Sequence, residues 1–271
     1  EPVKNPYLPA GKEITFYDAL NDFREMANVD VYVTGSNSKM LSSDILTEFR
    51  GRSNEIRVHP FSFAEFYSVV GGDKNEAFDH YSFYGGMPLV LSKHDDAAKM
   101  EYLQSLFSEV YLKDIKERRK IGYGDELGQV LDLLCSSVGS LTNPSKISAT
   151  IRSRNNVTIS ANTLKSYIGH LEDSFLFTAS KRYDVKGKSY FDFPMKYYCE
   201  DVGLRNARIG FRQMEMTHIM ENIVHNELIA RGFAVDVGVV YAREKNKSGN
   251  LVKVAKEIDF VAAKGNRRVY I

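Results

Sequence analysis

Two short stretches carry residues whose types and spacing could do chemistry. The first is Val31-Tyr32-Val33-Thr34-Gly35-Ser36-Asn37, an apolar run that ends in small polar residues. Parallel α/β sheets place ligand-contacting groups at such strand ends. The same residues also make helix caps or loops that satisfy their own backbone. The second is Phe49-Arg50-Gly51-Arg52. An arginine can stabilise charge on a transferring phosphoryl group, and two arginines in a charge-mixed loop can equally be solvated surface groups.

Composition narrows the chemistry. The chain of 271 residues balances 36 basic against 35 acidic groups, a net charge of +1, so it is not a globally basic nucleic-acid binder although local patches are allowed. Two cysteines, Cys135 and Cys199, cannot build a disulfide framework and fit a reducing compartment, so a cytoplasmic protein is expected. The six histidines show no zinc-type spacing. No apolar run approaches the roughly 18 residues of a membrane span, so no membrane partner is expected. The sequence opens on Glu1-Pro2-Val3-Lys4 and closes in an apolar strand pattern, and both ends read as cut.

The elements that must position these residues follow from periodicity. Residues 14–26 read as a helix, 29–33 as a buried strand, 44–49 as a helix, 55–59 as a strand and 61–70 as an aromatic-rich helix. Gly71-Gly72 breaks the chain; 78–84 resumes helix and stops at Gly85-Gly86-Met87-Pro88. A long helix is expected over 95–119, with Leu103, Leu106, Phe107, Val110 and Tyr111 as its buried stripe. Three helices follow: 126–138, one opening at Asn143-Pro144, and one opening at Ser160 that buries Leu164, Tyr167, Ile168 and Leu171. Strands at 175–183 and 189–193 flank the turn Lys186-Gly187-Lys188. Three helices and a hairpin are the layout of a winged helix. A DNA-reading version would present Lys165 and His170 from the third helix and Arg182, Lys186 and Lys188 from the wing. The bland alternative is a protein-packing spacer. A helix over 216–231, an alternating strand over 233–241, a polar loop over 243–250 and strands at 257–261 and 268–271 complete the chain.

The ordered set of motifs resembles one prokaryotic family, the predicted AAA+-type P-loop ATPases that end in a restriction-endonuclease-like domain. The matching segments are Val31 to Ser43, Arg50-Gly51-Arg52, Pro60-Phe61-Ser62-Phe63-Ala64-Glu65-Phe66, Gly85-Gly86-Met87-Pro88 and Tyr111-Leu112-Lys113-Asp114-Ile115. Further on come Lys196-Tyr197-Tyr198, Asp201-Val202-Gly203-Leu204-Arg205, Glu221-Asn222 with Glu227-Leu228, and Glu257-Ile258-Asp259-Phe260. The resemblance implies a multidomain α/β protein. Residues 1–66 would be the C-terminal part of an ATPase core, 67–121 a helical lid, 122–200 a winged helix and 201–271 a truncated nuclease-like domain.

The same resemblance implies roles. Ser36 and Asn37 fall at the sensor position. Arg52, with Arg50 behind it, is the candidate arginine finger. Gly85, Gly86 and Pro88 match the lid motif that faces adenine. No Gly-x-x-x-x-Gly-Lys-[Ser/Thr] occurs in the sequence, and Ala10-Gly11-Lys12-Glu13 lacks the first glycine and the Ser/Thr. ATP and Mg²⁺ are therefore expected of a full-length ATPase, with these residues holding half of its site and inactive alone. Glu221 and Asp259, with Glu257 on the same strand face, match the acids of the PD-(D/E)xK nuclease fold, which hold a divalent metal. That leaves two alternative functions: a metal-dependent DNA nuclease of a defence or mobile element, or a non-catalytic DNA-binding or scaffold module. The expected partners are DNA or a protein, and a homo-oligomer is compatible with the sequence.

Overall fold

A computed structural model describes residues 16–33, 54, 56–112, 115–116, 125–155, 157–212, 214–246 and 249–271. The chain divides into two compact units, Glu1–Arg57 and Val58–Ile271. In the first unit, α1 (Phe16–Arg24) forms where helix was expected and buries Leu20. The expected strand at 29–33 is not one. Val29, Val31 and Tyr32 are exposed, and the segment has no regular structure. Apolar β-branched composition alone does not make a strand; a ladder partner is required, and none pairs with it among the described residues. The same holds for the described part of the strand expected over 55–59, residues 56–59, whose Ile56 and Val58 face solvent.

The second unit is a mixed α/β body. Its first helices start where polar caps precede apolar residues. Ser62 and Glu65 form a reciprocal capping box at α2 (Phe63–Val70). The Asp73 carboxylate caps α3 (Lys74–Tyr84), which therefore starts four residues earlier than periodicity suggested. Pro88 opens a short 3₁₀ turn, Pro88–Ser92. The expected long helix is interrupted: Asp95 caps α4 (Asp96–Ser105), and the chain then widens into a π turn, Leu106–Leu112. Leu103 and Phe107 remain buried.

Helices α5 (Glu126–Ser136), α6 (Pro144–Asn155) and α7 (Ala161–Asp173) come next, then β1 (Phe177–Asp184) and β2 (Ser189–Cys199). The expectation ended β2 before Pro194. The strand continues because β2 is an edge, where proline is tolerated, and because Pro194 sits in a bulge between the Arg182–Phe191 and Ser180–Lys196 pairs. A helix that periodicity missed, α8 (Val202–Arg208), is followed by α9 (Met216–Ala230). Strands β3 (Ala234–Lys245), β4 (Leu251–Lys264) and β5 (Arg267–Tyr270) finish the chain.

The five strands among the described residues form one sheet in the order β2-β1-β3-β4-β5. Neighbours are antiparallel except β1 and β3, which run parallel through three pairs, Arg182–Val237 to Asp184–Val239. The sheet and one apolar core therefore run straight across residue 200. Leu127, Leu131, Ile147, Leu164 and Leu171 of the three helices share that core with Phe177, Tyr197, Val235 and Phe260 of the sheet. A second, smaller cluster joins Phe66, Tyr81, Val202, Ile219 and Ile223. The polar loop expected over 243–250 is shorter: residues 243–245 belong to β3, β4 starts at Leu251, and the two strands form a ribbon closed by hydrogen bonds between Asn246 and Asn250.

Candidate functional site around Lys196

Three acids that lie far apart in sequence converge on one ammonium group. Lys196 is on β2, and strand alternation puts it on the same face as the fully buried Tyr198. Helix α9 lies across that face and brings down Glu221. Strand β4 contributes Glu257 and Asp259, two residues apart and so directed to one side. The Lys196 Nζ lies 2.8 Å from Glu221 Oε1, 2.7 Å from Glu257 Oε1 and 3.5 Å from Asp259 Oδ1. The Tyr198 hydroxyl donates to the same Glu221 oxygen at 2.8 Å.

The electrostatics of this cluster are graded. The Lys196 side chain is 4% exposed, Glu221 17%, Glu257 35% and Asp259 60%. Burial works against the ammonium charge, but the hydrogen bonds and charges of Glu221 and Glu257 outweigh it and raise the lysine pKa. Burial and the neighbouring acids push the Tyr198 phenol far above its ordinary range, so it stays a donor. The three acids expected to hold a metal thus meet, and they meet around a lysine. Among the described residues no group of three or more His, Cys, Asp or Glu is placed to hold a metal ion. The fit to a divalent metal is poor, because the ammonium occupies the centre that the metal would need. Sequence reasoning quoted Lys196 without giving it a role. The available signal was a lysine alternating with aromatic residues on a buried strand, which requires acids nearby.

Next to the cluster, α9 holds the end of the sheet. The Asn222 side chain accepts from Cys199 N–H at 2.9 Å and donates to Cys199 C=O at 2.7 Å, doing for this backbone what a neighbouring strand would do. Asn226 donates to the carbonyls of Cys199 and Glu200, and Glu227 accepts from Phe63 N–H at 2.7 Å. The His225 ring stacks on Tyr198 at 4.1 Å and places Nε2 3.1 Å from Ser180 Oγ.

Gly85 and Gly86 of the expected lid motif pack closely against the Asp201 segment. Gly85, at φ +74°, would push a Cβ to 2.2 Å from Asp201 Oδ1, and a Cβ on Gly203 would meet Tyr84 O at 2.0 Å. Only glycine lets these segments approach so closely. The buried Asp201 carboxylate accepts from Gly86 N–H at 2.6 Å and from Leu204 N–H at 2.9 Å. Burial raises its pKa to about 6, against the lowering effect of those hydrogen bonds. Beside it, the Arg205 guanidinium donates to Cys135 C=O, and Asn206 donates to Ser82 and Phe83 carbonyls. Pro88 stands at the first position of the 3₁₀ turn. The Asp201-to-Arg205 motif is therefore a structural hub.

The remaining candidates are dispersed. Lys165 and His170 are on α7, where His170 Nε2 lies 3.1 Å from Ser166 Oγ. The Arg182 guanidinium covers the Phe191 ring at 5.5 Å. Lys186 and Lys188 are exposed on the turn between β1 and β2. Ser36, Asn37, Arg50 and Arg52 lie outside the described residues. Both cysteines are free and buried, and burial pushes the Cys135 thiol up to about 12, far from a reactive thiolate.

Comparison with known proteins adds the following. A family model described as an AAA domain matches residues 13–67, which relates that segment to P-loop AAA-type ATPases. An uncharacterized protein of Haemophilus influenzae is 36% identical over 257 residues, covering 93% of this chain and 60% of the relative. An uncharacterized protein of Methanocaldococcus jannaschii is 28% identical over 247 residues, covering 85% of this chain and 53% of the relative. The chain thus spans only a little over half the length of these relatives. A second family model matches residues 75–215, from α3 through α8 and more than half of the chain. By that match the chain belongs to the family described as a domain of unknown function, DUF8612.

Proposed function

We propose that this chain is part of an ATP-driven switch. In this reading residues 13–67 contribute the sensor and arginine elements of an AAA-type nucleotide site, and the body from Val58 onward receives its motion. ATP and Mg²⁺ are the ligands usual for AAA-type ATPases; the phosphate-binding loop would come from outside residues 1–271. One observation carries the reading. The AAA match ends at residue 67, inside α2, and α2 and its lead-in are built into the DUF8612 body. Phe61 N–H donates to Gly86 O at 2.8 Å, and the Tyr81 hydroxyl donates to Phe61 O at 2.8 Å. Phe63 N–H donates to Glu227, His59 Nδ1 lies 2.5 Å from Glu200 Oε1, and Phe66 is buried. A displacement of the matched segment would reach α3 and α9 through these bonds.

Phosphate release by the full-length protein tests the proposal. Arg52→Ala is expected to lower ATP turnover about a hundredfold or more while nucleotide binding persists. Unchanged turnover in that variant would remove the arginine-finger assignment, and absence of ATP hydrolysis in the unmodified full-length protein would remove the switch reading.

A further inference from the structure

We infer that the β3–β4 ribbon, together with the β1–β2 turn beside it, is a binding surface for the phosphate backbone of duplex DNA. This inference does not depend on the nucleotide reading.

Charge distribution is the first observation. Residues 241–256 carry five basic groups and one acidic group, a net +4, in a chain that totals +1. The rest of the chain therefore sums to −3, so the positive charge is concentrated here. The second observation is shape. β3 meets β1 only through Val239, and β4 meets β5 only from Val261 onward. Val240 to Lys245 and Leu251 to Lys256 thus pair with each other alone, as a projecting ribbon about 20 Å long. A two-stranded ribbon of this kind fits the major groove of B-form DNA, which is about 12 Å wide.

The third observation is a pairing that stability does not favour. Arg243 stands directly opposite Lys253, and like charges so placed repel. Tyr241 and Lys245 share that face by alternation, and the Lys253 ammonium lies 3.9 Å from the Tyr241 ring centroid. Among the described residues no acid is paired with Arg243, Lys245 or Lys253. On the opposite face the pattern is ordinary, with Lys256 paired to Glu244. A row of unpaired cations opposing one another is relieved by an anion between them. Topology adds two more cations. Because β1 and β3 run parallel, the turn after β1 lies at the base of the ribbon, where Val185 N–H donates to Val239 O at 3.0 Å. Lys186 and Lys188 project from that turn, while Asp184 is occupied by accepting its backbone N–H groups.

An acidic protein or an anionic membrane would also answer the charge. The narrow projecting ribbon favours a groove, and the deep, narrow major groove of A-form RNA does not admit one. Fluorescence anisotropy with the chain of residues 1–271, without nucleotide, tests the assignment against labelled duplex DNA, the same sequence as duplex RNA, and vesicles containing phosphatidylserine. Salt-dependent binding to DNA is expected. Arg243→Ala with Lys253→Ala should weaken it about tenfold and lower the salt slope by about 1.8, the loss of two phosphate contacts. The same double variant should melt no lower than the parent, because it removes a repulsive pair, whereas residues with a merely structural role would lower it. Wild-type affinity in the double variant, tighter binding to RNA or to vesicles, or no DNA binding at low salt would each overturn the proposal. Arg52→Ala should bind DNA as the parent does, which separates this outcome from the ATPase test.

Discussion

Lys196 decides the character of the acidic cluster. Its ammonium neutralises carboxylates from α9 and β4 that would otherwise repel one another. Lys196→Met should therefore lower the unfolding free energy by about 2–3 kcal/mol, less than for a fully buried pair because Glu257 and Asp259 reach solvent. Urea denaturation measures it, and adding Glu221→Gln should restore part of the loss by removing the most buried unpaired charge. Mn²⁺ is expected to leave the melting temperature of the parent unchanged. A rise that Asp259→Asn abolishes would instead establish a metal centre. Asp201 gives a prediction in pH. Its folded pKa of about 6 is above the ordinary 3.8, so the folded state takes up this proton first as pH falls. The stability it contributes is fully present below about pH 4 and is lost as pH rises through about 6. The unfolding free energy of the parent relative to Asp201→Asn should therefore fall as pH rises, mainly between those two values. A constant difference across that window would show that the carboxyl titrates normally.

At the scale of elements, several helix starts were legible, those of α3 and α8 were not, and strand pairings were not. Ser62, Asp95 and Ser160 each combine a capping oxygen with a following apolar stripe, and each opens a helix. Those signals are local, so the sequence displays them. The run at 29–33 has strand composition without a ladder, and β2 passes a proline that sequence reading treats as a stop. Both outcomes depend on what lies alongside, which is not a local property. The acids of the candidate site were found through motif order; Lys196 was not given a role because its partners come from two other elements. Helix α9 shows what a long-range signal looks like once the fold is known. Asn222→Ala would leave the buried Cys199 N–H without this acceptor and the Cys199 C=O with Asn226 alone. A loss of about 1–3 kcal/mol is expected in urea denaturation, against a small change for an exposed α9 position such as Met220.

At the scale of the whole molecule, the division after Arg57 makes a prediction of its own. Residues 58–271 contain the sheet, both apolar clusters and the Asp201 junction. They should fold alone and unfold in one cooperative transition close in midpoint to that of the longer chain, as calorimetry would show. A broad or absent transition would mean that the body depends on the first 57 residues. The sheet that crosses residue 200 has a consequence for the DUF8612 match, which ends at residue 215. A chain cut there would keep β1 and β2 and lose β3. One side of β1 would then offer unpaired N–H and C=O groups, flanked by the apolar Phe177 and Tyr183, to any other strand it met. Truncation at the family boundary should accordingly yield edge-to-edge aggregates.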